Sequence, residues 1–98
     1  MKYVVISGAS GGMGLATTRL LTNNGCYVFG LDIKEPSEKL DNYTFIKTDL
    51  RDLNSLNNAY LEVKKVTNEI DAIISMAGIY DLNSLFIRDE RRRFHPYL

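Results

Sequence analysis

Between an apolar run and a helix-like run the sequence reads SGASGGMG, residues 7–14, with glycine at four of eight positions. A tight glycine turn that ends a strand and opens a helix is a ready anion site. The first helical N–H groups have no internal partner, and the helix dipole adds partial positive charge there. Gly8, Gly12 and Gly14 meet two needs at once: unusual dihedrals in the turn, and bare backbone against which a pyrophosphate can lie. No register of these glycines satisfies the strict Gly-x-Gly-x-x-Gly spacing, and no Gly-Lys-Ser/Thr follows as in a P-loop. The second group is Asp32, at the end of the next apolar run. A carboxylate there can accept hydrogen bonds from ribose hydroxyls and repels a 2′-phosphate, which favours NAD over NADP. Lys34 is the one nearby cation that could offset that repulsion.

The elements that must position these residues follow from periodicity. Residues 3–7 are a short β-branched run stopping at glycine, a buried strand. From Gly12 the period changes: Met13, Ala16, Thr17, Leu20 and Leu21 recur at helical spacing, and Asn23-Asn24-Gly25 supplies the stop. Residues 27–33 form a second strand, and residues 34–42, with Pro36, a polar connection. Residues 43–49 form a third strand. Leu53, Leu56, Tyr60, Val63 and Val66 mark an amphipathic helix over about residues 52–68. Residues 71–78, DAIISMAG, are a fourth strand. Apolar strands alternating with helices imply parallel pairing through right-handed crossovers, so the fold class is α/β. The expected architecture is a partial Rossmann-like sheet of about four strands in the order 3-2-1-4.

Composition sets the outer bounds. Ninety-eight residues make one small domain or a piece of a larger one, with 45% hydrophobic and 24% charged residues. Twelve basic residues balance twelve acidic ones, so no overall field draws the chain to nucleic acid or an anionic membrane. The single Cys26 cannot form an internal disulfide, which suits a reducing compartment. The apolar start is too short for a signal peptide and no run has bilayer length, so the expectation is a cytoplasmic protein. Residues 84–98 hold Arg88, Arg91, Arg92 and Arg93 around Asp89 and Glu90, and read as a separate, solvated terminal segment after a half domain at 1–83.

The motif SGASGGMG resembles the Thr-Gly-x-x-x-Gly-x-Gly cofactor loop of the short-chain dehydrogenases/reductases, with Ser7 in place of threonine. The resemblance runs to about Asn83. It implies cofactor contacts at Gly8, Ser10, Gly11, Gly12, Met13 and Gly14, at Asp32 and Ile33, and at Asp49 and Leu50 beside the adenine. SMAG, residues 75–78, stands where the family usually has Asn-Asn-Ala-Gly, so Ala77 and Gly78 correspond to backbone neighbours of the cofactor ribose. Gly8, Gly11 and Gly14 also fit Gly-x-x-Gly-x-x-Gly, which resembles the extended branch of sugar-nucleotide epimerases and dehydratases. Ala77-Gly78-Ile79 looks more like the compact, single-domain branch.

The family's reaction is hydride transfer between nicotinamide and a small carbonyl or alcohol, with a proton from a tyrosine tuned by a lysine and a serine orienting the substrate. That pair lies downstream of the Asn-Ala-Gly segment. The literal Tyr-x-x-x-Lys here, Tyr60 to Lys64, lies upstream, in the apolar stripe of the second helix. No catalytic residue is therefore assigned within these residues, and the expectation is a cofactor-binding part that is inactive alone. The alternatives are a non-catalytic NAD-binding module and an inert remnant. The fourth strand is expected to present an unpaired edge through which copies could associate.

Overall fold

A computed structural model of the chain describes residues 1–76. The expectations for Ala77, Gly78 and residues 84–98 lie outside the described residues. The order is β1 (Lys2–Ser7), α1 (Gly12–Asn23), β2 (Cys26–Asp32), β3 (Tyr43–Lys47), α2 (Leu53–Lys64) and β4 (Ala72–Ser75). The strands form one parallel sheet in the order β3-β2-β1-β4, the arrangement expected from the alternating pattern.

The registers place the four strand ends side by side. Ser7 lies opposite both Leu31 and Ser75, and Asp32 opposite Lys47. The ladder continues one step past each end: Gly8 N–H donates to the Leu31 carbonyl at 2.8 Å, Thr48 N–H to that of Asp32 at 2.8 Å, and Met76 N–H to that of Ser7 at 2.9 Å. Among the described residues, the loops carrying predicted site residues therefore leave the sheet along one edge, where parallel α/β sheets bind ligands.

The two faces of the sheet are covered differently. Val5, Phe29 and Leu31 pack with Leu50, Leu56, Ala59, Val63 and Ile70 under α2. Asp52 caps α2, its Oδ1 accepting from Asn54 N–H at 3.0 Å. The helix stops at Lys64, short of the expected residue 68, because Thr67 Oγ1 accepts from Glu69 N–H at 3.0 Å and donates to its carbonyl at 2.9 Å. That local turn competes with another helical turn. Leu53 and Val66, expected in the apolar stripe, are 72% and 50% exposed.

On the other face Val4, Ile6, Ala9 and Val28 meet α1. Here the expected contact stripe is corrected. Met13 and Leu20 are 76% and 63% exposed, Ala16 is exposed, and the buried residues are Gly14 and Thr18, with Leu21 partly buried. The spacing is still helical but the residues are small. Thr18 is tolerated in the interior because its Oγ1 donates to the Gly14 carbonyl at 2.8 Å. Gly25, with φ +86°, ends α1 as expected.

Candidate functional site

The site begins at the turn from β1 into α1. Gly8 has φ +73°, a conformation that a residue with a Cβ rarely adopts. Gly14 is required for a different reason. A Cβ there would overlap the Gly8 carbonyl oxygen and lie 2.7 Å from Ala9 Cα. Helix α1 thus starts directly against the loop backbone. Gly11 is its N-cap, with no side-chain cap bond and no acidic residue in the first turn. The N–H groups of Gly12, Met13 and Gly14 consequently lack both an intrahelical acceptor and a side-chain substitute. A Cβ on Gly12 would meet nothing within 4 Å, so the outer side of this turn is open.

Asp32 leaves the end of β2 beside this loop. Its Oδ2 accepts from Ser10 N–H at 3.0 Å, and its Oδ1 from Ile33 N–H at 2.8 Å. The carboxylate therefore fixes the glycine loop relative to the second strand. A carboxylate offers about four acceptor positions, so two remain for another donor. Ser10 Oγ is covered from solvent and has no hydrogen-bond partner among the described residues. An unpaired buried hydroxyl is uncommon in a native protein, and it fits a site that receives a polar ligand.

A cavity of about 170 Å³ opens next to this edge, lined by Gly8, Asp32, Ile33, Thr48, Asp49, Leu50 and Arg51. Leu50 forms part of its apolar wall while belonging to the core under α2, and Ile33 is 53% exposed. Asp49 is held from two sides. Its N–H donates to Ser55 Oγ at 2.8 Å, and its Oδ1 accepts from Arg51 N–H at 3.0 Å with Arg51 Nε at 3.4 Å. The Arg51 backbone N–H, with a smaller part from its guanidinium, keeps the Asp49 carboxyl below the usual carboxylate range. It stays ionised at neutral pH.

The structure thus brings Gly8, Ser10, Gly11, Gly12, Met13, Gly14, Asp32, Ile33, Asp49 and Leu50 to one edge of the sheet. Thr48 and Arg51 were not singled out from sequence. Their signal was only adjacency to Asp49 at the end of a strand. Tyr60 and Lys64 sit on α2, where Tyr60 packs against the core and the Lys64 ammonium lies 5.7 Å from its ring centroid. Among the described residues there is no cluster of potential metal ligands and no helix long and apolar enough to cross a membrane.

Comparison with known proteins agrees with this geometry. Residues 2–94 match the family profile described as short chain dehydrogenase. The chain is 37% identical over 84 residues to the short chain dehydrogenase prhI of Penicillium brasilianum, covering 82% of this chain and 33% of that protein. It is 33% identical over 103 residues to the oxidoreductase UcpA of Salmonella typhimurium, covering 96% and 39% respectively. Among solved structures, a short chain dehydrogenase from Leptospira borgpetersenii with bound NAD+ superposes with a TM-score of 0.72 at 25% identity, covering 80% of this chain and 32% of that one. The ligand-free aldohexose dehydrogenase of Thermoplasma acidophilum gives 0.72 at 28% identity, covering 80% and 30%. The chain spans about a third of the length of the curated relatives it matches. Together with the parallel sheet and the glycine turn, these matches establish that the chain belongs to the short chain dehydrogenase family.

Proposed function

We propose that this chain is the cofactor-binding part of an NAD-dependent oxidoreductase acting on a small carbonyl or alcohol. When bound, the nicotinamide supplies the hydride acceptor or donor. The residues described here bind and orient it. The observation that carries the reading is the bond from Ser10 N–H to Asp32 at 3.0 Å, because it fixes two subsites relative to each other. On one side, the unpaired N–H groups of Gly12, Met13 and Gly14 and the Ser10 hydroxyl are donors for a pyrophosphate. On the other, the free lone pairs of Asp32 are acceptors for ribose hydroxyls. Ile33 and Leu50 supply apolar walls for an adenine, with Asp49 at its polar edge. Ala77 and Gly78 are assigned as backbone neighbours of the cofactor ribose on the strength of the motif alone.

The proton transfer and substrate orientation belong to residues outside this set. Tyr60 and Lys64 are assigned to packing, since their helix covers the core on the face of the sheet opposite α1. A cytoplasmic location and pairing of the β4 edge with a further strand or a second copy are part of the same reading. The test is Asp32→Ala, followed by titration with NAD and NADP. Loss of the carboxylate removes both the ribose acceptor and the repulsion of a 2′-phosphate, so the NAD-over-NADP preference should narrow. An unchanged ratio would place the carboxylate away from the ribose.

A further inference from the structure

Arg51 is the only cation among the residues that line the cavity, where it joins two carboxylates, Asp32 and Asp49. The fold makes little use of its side chain. The guanidinium is 72% exposed, and its ion pair, Nε to Asp49 Oδ1 at 3.4 Å, is long. An exposed pair of this kind contributes little to stability. Nor does Asp49 depend on it. The Arg51 backbone N–H donates to the same Oδ1 at 3.0 Å, and that bond persists whatever side chain stands at position 51. Nη1 and Nη2 make no hydrogen bond among the described residues, so a planar cation lines the cavity with most of its donors unengaged.

The rest of the lining restricts what that cation can serve. Asp32 and Asp49 are acceptors, so an anion entering beside Arg51 would meet two carboxylates. Ile33 and Leu50 add apolar surface. A flat, neutral, aromatic ring with donors at its edge meets no such repulsion. Its face can lie on the guanidinium plane, and its edge can reach a carboxylate. We propose that Arg51 is a binding residue for the adenine of the dinucleotide, its guanidinium plane stacking on the face of the base. This rests on the dinucleotide reading above and deepens it by naming the group that grips the base. Guanidinium is more weakly hydrated than ammonium, so laying it on a ring costs less desolvation than a lysine would incur.

Two substitutions separate the plane from the charge. Arg51→Met keeps an unbranched stem and removes both, whereas Arg51→Lys keeps the charge and removes the plane. Both variants retain the backbone N–H bond to Asp49 and should melt within about 4 °C of the wild type. NAD affinity should fall about three- to tenfold in Arg51→Met, and Arg51→Lys should recover little of that loss. NADP affinity should fall by the same factor, because both dinucleotides carry the same base. The experiment is calorimetric titration of the 98-residue chain and both variants with NAD and NADP, beside thermal melts. Unchanged NAD affinity in Arg51→Met overturns the proposal and leaves the dinucleotide reading standing. Wild-type affinity in Arg51→Lys reduces Arg51 to a diffuse charge and overturns the stacking. A larger loss for NADP than for NAD places Arg51 on the 2′-phosphate and overturns it likewise. A fall in melting temperature well beyond that window, together with lost affinity, makes the side chain structural and also overturns it. Absence of binding by the wild type overturns both readings.

Discussion

Gly14 and Gly12 stand two residues apart in the first turn of α1, and the structure assigns them opposite responses to the same methyl group. At Gly14 an added Cβ would overlap the Gly8 carbonyl oxygen and approach Ala9 Cα and C to 2.7 and 2.9 Å. All of these are backbone atoms, so neither neighbour can swing away. Gly14→Ala must lift the helix off the loop, an overpacking cost of about 1–3 kcal/mol or more, offset by about 1 kcal/mol of helix propensity. At the upper end of that range the net loss is about 2 kcal/mol, which lowers Tm by about 8–16 °C in a domain of this size. Gly12→Ala meets nothing within 4 Å and retains the propensity gain, so it should stabilise by about 0.5–1 kcal/mol. Denaturant unfolding of both variants with a common m value provides the measurement. Equal stability of the two would refute the close approach of α1 to the loop. Gly14→Ala should also abolish dinucleotide binding, because the displaced turn carries the donor N–H groups.

Two further outcomes follow from local chemistry. The Tyr43 phenol is raised from 10.0 to about 12 in the folded chain, so its contribution to stability is complete below pH ~10 and is lost as the pH rises toward 12. The ring is only half-buried, which reduces the loss to about 1 kcal/mol, visible as falling denaturation midpoints over that window and absent in Tyr43→Phe. Asp52→Ala removes the side-chain acceptor for Asn54 N–H and should cost about 1 kcal/mol in unfolding free energy, with Asp52→Asn retaining most of it.

The sheet was legible because its strands read as short apolar runs separated by glycine and helical periods, and such units pair in parallel with one handedness. The face of α1 was not. Met13, Ala16 and Leu20 carry the hydrophobic signal, yet Gly14 and Thr18 are the buried residues. Close backbone approach selects small side chains, and a hydrophobicity pattern does not register smallness. The glycine loop and Asp32 were legible as separate features, whereas the Ser10 N–H bond that ties them together requires the fold. Tyr43 was invisible for a related reason. Its place over Gly30 depends on cross-strand register, which no local period encodes.

The central claim is that the edge of this sheet holds a dinucleotide, with Asp32 on its adenosine ribose. Its most direct test is calorimetric titration of the chain with NAD and, separately, NADP. Saturable binding of NAD, tighter than that of NADP, is the predicted result. No binding heat from NAD at ~1 mM, a concentration that would reveal interactions as weak as about −4 kcal/mol, would contradict it.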